Sequence, residues 1–594
     1  MIKIFIVGSI LALLLSACAG GSPNPQGILE IHDIQGCSHT SPYTGKTVTA
    51  IIGVVTHKIS NGFTMQSVTP DDKACTSEGL FVFTEKYPGV MVGDLVKVNG
   101  LVEEFTEGNA EDHNLSQTEI VQPVYTIVQS DHDLPEPIVL DGPDVKIPTE
   151  LIENDEMVKF DSIEDGLDFY ESLESMLVEI TSGTVVGPKN SYDEIVVLPD
   201  VFTNFNLISN HGALIRTESD SNPEKTMVKL PANYDVSVNV GDRFDSHIIG
   251  ILDYSYGNFK VLAFPPVEFT SSEQFIDTFE TREDGITIAT YNLENLSPLD
   301  ETGKYKEISK QVVKILQSPD VLVLNEIMDN SGSVDDGIVE ADQTIQKLIK
   351  AIKKAGGPTY SYSNMNPNNN QDGGIGGGNI RTILLFRSDK GINLEEKSPR
   401  INGVKYQEGY FSIEQNPLLV GEFSSAFNGT RKPRIWLLNQ NGKQFFVVGV
   451  HLTSQGANSP EWGNQQPPQK PEEVQRIEQA SLINQQLAKI HLSNPSIPIF
   501  IVGDFNDSPW SDTIAAIKQD IFDNSADLNT PAENYSYIYE GNAQQLDYIL
   551  INKNLAINLL QARFIHHNSI LDQQENISDH DPLIIEYLLD QSAP

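Results

Sequence analysis

The stretch Ile499 to Asp507, Ile-Phe-Ile-Val-Gly-Asp-Phe-Asn-Asp, limits the fold of this chain more than any other. Four apolar residues closed by Gly503 read as a strand buried on both faces, as in a sheet covered by further layers. Side chains alternate along a strand, so Asp504 and Asn506 emerge together at its end. Oxygen donors gathered there suit a hard divalent cation or a phosphate and suit a packed core poorly. Taken alone, an Asp after a strand is more often a turn or helix cap.

The same design recurs through the second half of the chain. The run from Ile286 ends in Asn292, the run from Val321 ends in Glu326, and Phe445 to Val450 delivers His451. Asp547 precedes Tyr548-Ile549-Leu550, and Ile577-Ser578-Asp579-His580-Asp581 sets an acid beside an imidazole. Helical stretches at 305–316, 341–354 and 473–489 alternate with these runs, which argues for a layered α/β domain over 285–590.

The first half reads differently. Short apolar segments broken by turn residues, such as 48–55, 63–67, 79–83 and 94–102, predict a small β-barrel over 31–150. A second such block, 151–270, predicts another barrel of the same kind, and 153–168 and 271–284 read as acidic linkers. The 594 residues allow about four domains; this pattern gives three.

The N-terminus carries Lys3, an apolar run over 4–15, and Leu15-Ser16-Ala17-Cys18. That is an export signal over 1–17, too short to span a bilayer as a mature helix. Its last residues resemble the bacterial lipoprotein processing box, which implies lipid on Cys18, a linker over 18–30 and a membrane tether. Ala19 after Cys18 favours the outer membrane, at the cell surface or in the periplasm, with later release left open. Cys37 and Cys75 remain, and two thiols in an exported chain are expected to pair. The formal net charge is −43, with 39 Lys and Arg against 82 Asp and Glu. A polyanionic substrate therefore needs local compensation.

The ordered set Asn292, Glu326, His451, Asp504, Asn506, Asp547, Asp579 and His580 resembles the endonuclease/exonuclease/phosphatase superfamily. With Arg431-Lys432-Pro433, Gln466-Pro467-Pro468 and Arg476 it is nearer still to bacterial extracellular nucleases bearing an oligonucleotide-binding (OB) module. The module is matched by Gly53-Val54-Val55-Thr56 and Gly79-Leu80-Phe81-Val82. The resemblance implies two OB-like β domains followed by an α/β four-layer sandwich. It implies a divalent metal, with Mg²⁺ foremost and Mn²⁺ or Ca²⁺ alternatives, held by Glu326 with Asn292 and Asp579. Asp504 and Asn506 would orient the attacking water, Asp547 would steady His580 as acid/base, and His451 would contact phosphate or the leaving oxygen. Arg381 and Arg431 are the candidates for the substrate backbone. DNA is the expected substrate, RNA is left open, and the chain is expected to be a monomer. Two alternatives stand beside this: a phosphatase or sphingomyelinase-type diesterase on the same fold, and a non-catalytic surface protein that binds nucleic acid. Many such nucleases carry two lysines after the His corresponding to His451; Leu452-Thr453-Ser454-Gln455 has none.

Overall fold

The computed structural model describes residues 29–203, 207–232, 234–273, 277–282 and 285–589. The export segment, Cys18 and nearly all of the linker fall outside them. No helix among the described residues is long and apolar enough to cross a membrane.

Strands Thr47–Ile59, Gly62–Gln66, Gly79–Phe83, Leu95–Thr106 and Ser116–Gln129 close into a barrel in which the fifth lies between the third and fourth. Inward Ile51, Phe63, Met65, Leu80, Val82, Val96, Val98 and Ile120 fill it, as period-2 alternation requires. Cys37 and Cys75 are disulfide-bonded with Cα atoms 5.0 Å apart.

The second block departs from expectation. Instead of another five-stranded barrel it forms one eight-stranded sheet, with Arg243–Phe244 at one edge and at the other Ile138–Val139, which moves the boundary back from the expected 150. Alternation gives the same local signal for a barrel and an open sheet; closure depends on strand length and tilt. Both edge strands here have two residues. Leu214–Ile215 leaves the block and pairs in parallel with Asn542 and Ala543 of the C-terminal half. Trp462, also from that half, packs into this block's core against Tyr170 and Phe259.

The C-terminal half is a four-layer sandwich. One sheet runs, in space, through Ser361–Ser363, Arg381–Phe386, Val321–Ile327, Ile286–Leu296, Leu583–Tyr587 and Leu559–Phe564. The other runs Ile392–Leu394, Arg434–Gln440, Lys443–His451, Ile499–Asp504, Asp547–Asn552 and Phe522–Asn524, with Leu418–Leu419 off its path. Ile288, Val323, Val447, Phe500, Val502 and Ile585 pack between the sheets. Helices Thr302–Lys310 and Asp342–Lys354 cover the first sheet, and Pro471–Ser493 and Asp512–Lys518 the second. The central strands are thus buried on both faces, which is why they read as unbroken apolar runs.

Candidate active site

Strand register gathers the polar ends. In the second sheet His451 pairs with Asp504 and Asp504 with Asp547. In the first, Asn292 pairs with Asn325, one residue before Glu326. Gly503, at φ +145°, lets the central strands meet there: a Cβ would lie 2.0 Å from Val450 O. Glu326 and Asn506 both have left-handed backbones, φ 61° and 52°, a conformation that costs energy in a non-glycine residue and clusters at functional sites.

Hydrogen bonds lock the set. Asn292 Nδ2 donates to Glu326 Oε1 at 3.3 Å and to Asp504 Oδ2 at 3.2 Å. Asp504 Oδ1 accepts the Asn506 N–H at 2.9 Å, and Asp504 Oδ2 accepts Asn506 Nδ2 at 3.2 Å. His580 Nδ1 is 2.7 Å from Asp547 Oδ2, and its Nε2 lies 4.0 Å from Asp504 Oδ2. His451 Nε2 lies 3.6 Å from Asp504 Oδ2 and 3.7 Å from Glu326 Oε1. Gln455 donates to Asn506 O at 2.8 Å. Arg476 ties the two loops together through Asp507 Oδ2 at 2.9 Å and the carbonyls of Thr453 and Ser454.

Burial and charge set the protonation states. Burial pushes the Asp504 carboxyl up to about 7, with Asp547 and Glu326 adding to it and His580 opposing. Burial alone would lower the His580 imidazole; the carboxylates of Asp547 and Asp504 overcome it and hold it well above its ordinary value. Burial, then Arg431 and His580, hold His451 well below its ordinary value, so it is a neutral ring at pH 7 and fits hydrogen bonding better than proton delivery.

Seven predicted residues therefore meet: Asn292, Glu326, His451, Asp504, Asn506, Asp547 and His580. Asp579 sits at the rim, lining a cavity of about 770 Å³ together with Glu294, Tyr537 and, from the second domain, Tyr256 and Lys260. Arg431 is buried beneath the site with Nη2 on Leu452 O at 2.7 Å, and Glu326 and Asp504 both act on its charge. Arg381 corrects the expectation. It is fully buried, and its guanidinium holds Val339 O, Asn366 Oδ1 and Asn379 O, fixing the Asn/Gly loop and not a substrate.

Two contributors escaped the sequence reading. Asn325, fully buried, donates from Nδ2 to Val450 O of the facing sheet; an amide inside an apolar run was a usable signal. Tyr537 lies with its ring 5.0 Å from that of His580, on the hairpin that Leu214–Ile215 extends. Nothing in the sequence pointed to it.

The donor chemistry fits a hard divalent cation. The set is carboxylate, amide and imidazole without thiolate, since Cys37 and Cys75 are paired. Glu326 keeps 18% side-chain exposure while Asp504 and Asp547 have 1%, so it is the carboxylate an ion in the cleft can reach.

A sandwich of two sheets with acids, amides and imidazoles at adjoining strand ends is the architecture of a phosphate-ester hydrolase. Residues 289–580 match the family described as endonuclease/exonuclease/phosphatase, and this part of the chain is a domain of that family, whose members hydrolyse phosphodiesters or phosphate esters. Residues 139–271 match a family described as a domain of unknown function (DUF8508). Similar solved structures include an endonuclease/exonuclease/phosphatase from Bacteroides vulgatus, 16% identical, covering 51% of this chain and 98% of that one at TM-score 0.33. The human Nocturnin catalytic domain with bound sulfate is 16% identical, covering 51% and 94% at TM-score 0.33. A Bacteroides thetaiotaomicron mannosyl-6-phosphatase is 16% identical, covering 51% and 99% at TM-score 0.32. No curated protein matches the sequence.

Proposed function

We propose that the protein is an exported, lipid-tethered, metal-dependent nuclease that hydrolyses phosphodiester bonds of DNA outside the cytoplasm. The observation that carries the hydrolytic reading is the convergence of Glu326, Asp504 and the Asp547–His580 pair in one cleft. The closed five-stranded barrel, of a kind that binds single strands, favours a nucleic-acid substrate over a small phosphate ester.

Glu326, with Asn292 beside it and Asp579 at the rim, would hold the divalent ion, Mg²⁺ foremost. The bound ion supplies charge neutralisation at the phosphate. Asp504, oriented by Asn506, takes the proton of the attacking water as its oxygen bonds to phosphorus. The His580 imidazolium, steadied by Asp547, gives its Nε2 proton to the departing oxygen as the P–O bond breaks. Asp504 and His580 then stand close enough to return the proton from one to the other, restoring the starting state. Neutral His451 hydrogen-bonds a non-bridging oxygen, and buried Arg431 biases the local field toward anions.

Incubating the purified protein with supercoiled plasmid and Mg²⁺, with and without chelator, tests this reading. Cleavage that the chelator abolishes is expected. No cleavage with any divalent ion refutes it.

A further inference from the structure

We propose that Glu153, Asp165 and Asp168, far along the chain from the catalytic cleft, form a structural Ca²⁺ site that clamps the second domain onto the disulfide-bonded end of the barrel. One carboxylate oxygen from each residue lies within 4.8 Å of the others. Glu153 Oε2 and Asp165 Oδ1 are buried without a hydrogen-bond donor, and Asp168 Oδ1 has only the His39 imidazole beside it. Asp165 and Asp168 are 1% and 0% exposed. A buried anionic oxygen left unmatched costs several kcal/mol, and two such atoms beside a third carboxylate call for a cation.

The second oxygens are otherwise engaged. Glu153 Oε1 accepts the N–H groups of Asn154 and Asp155, and Asp168 Oδ2 accepts that of Asp161. Asp165 occupies the N-cap of helix Gly166–Glu171, yet its side chain makes no cap hydrogen bond, so its orphan oxygen is not committed to the helix. Among the described residues the only ion-pair contact of the three is His39 Nε2, 3.1 Å from Asp168 Oδ1. The charges acting most strongly on Asp165 are all acidic, and burial with Glu153 and Asp168 pushes it up to about 7. The other acidic group on this face differs: Glu78 pairs with His32 at 3.1 Å and accepts the Asp71 N–H, while Asp71 pairs with Lys73 at 3.0 Å.

Ca²⁺ is the ion the donors suit: three carboxylates from one short segment match its flexible all-oxygen shell, whereas Mg²⁺ demands near-ideal octahedral geometry and keeps most of its waters. His39 lies two residues from Cys37, and Ser162 donates to Ala74 O beside Cys75. By ordering the loop 153–168, an ion here would hold in place its two contacts beside the disulfide, Asp168 with His39 and Ser162 with Ala74 O.

The test uses full-length protein stripped with EGTA, with unfolding followed thermally and binding by calorimetry as Ca²⁺ is added. In wild type, an excess of about 100-fold over the dissociation constant should raise the melting temperature by about 5 °C. Glu326→Gln, altered in the catalytic cleft, should keep that rise. Asp165→Asn and Glu153→Gln should each lose it, together with one equivalent of bound Ca²⁺. Both remove buried negative charge, so their ion-free melting temperatures should equal or exceed that of ion-free wild type, which separates a lost site from a lost fold. No rise in wild type, or an undiminished rise in Asp165→Asn and Glu153→Gln, overturns the proposal.

Discussion

Asn325 Nδ2 donates to Val450 O across 2.7 Å, joining one sheet of the catalytic sandwich to the other directly beside Glu326 and His451. Asn292 to Asp504 and Trp436 to Ser363 also cross between the sheets, and most of the remaining interface is apolar, which specifies no register. This amide is a polar pin between the halves of the site. Asn325→Leu keeps the volume and removes the pin, at a cost of about 0.5–1.5 kcal/mol. We expect kcat for plasmid cleavage to fall by about tenfold or more with KM nearly unchanged, as for a residue that positions Glu326 without touching substrate. A KM rise with constant kcat would contradict that role.

The Asp547–His580 pair should behave as one unit. His580→Ala and Asp547→Asn are each expected to lower kcat by about 10²–10⁴-fold. The double variant should be little worse than the more damaged single variant, because removing either partner disables the same proton transfer. Steady-state rates on plasmid DNA at saturating Mg²⁺ measure this. Multiplicative losses would mean that the two act separately.

How much of this was legible beforehand depended on whether the physics was local. Strand ends that present Asn292, Glu326, His451, Asp504 and Asp547 could be read because a doubly covered strand is a short apolar run, and a polar residue closing it stands out. Asp504 and Asn506 do meet as expected, but the strand ends at Asp504 and a left-handed turn at Asn506, not the two-residue repeat, brings the side chains together. The other failures were non-local. Arg381 looked like a phosphate ligand because cations are sparse in this chain, whereas the fold buries it under three carbonyl and amide acceptors. The second domain's open sheet turns on closure, which alternation does not encode, and Tyr537 sits beside His580 on a hairpin that Leu214–Ile215 extends by pairing across more than three hundred residues. The acidic stretch 153–168 read as a linker because composition does not show that Asp165 and Asp168 turn inward.

Gly503 should tolerate no side chain. A Cβ at this position would meet Val450 O at 2.0 Å, and the backbone is at φ +145°. Gly503→Ala must push apart the strands that carry His451 and Asp504. We expect a loss of about 2–4 kcal/mol in urea unfolding and cleavage reduced at least as much as in Asn325→Leu. Wild-type stability in the variant would show that the strands part easily here.

The contact between barrel and second domain should weaken as pH rises. Glu174 is buried there, accepting Gln35 Nε2 at 3.0 Å and the Thr118 N–H at 3.2 Å. Burial first, then Glu104 and Asp253, push its carboxyl up to about 8. Glu119 is pushed up to about 7 by burial and Glu103, and Asp253 to about 6, chiefly by burial. Folded-state values above the unfolded ones mean that the native protein binds more protons between pH 4 and 8. Their stabilising contribution is therefore complete below about pH 4 and is lost as pH rises through the folded values. Glu174→Gln keeps an acceptor for both donors and cannot ionise. Its urea midpoint should match wild type at pH 4.5 and exceed it at pH 8. A variant that loses stability between those two pH values as steeply as wild type would place the titrating group elsewhere.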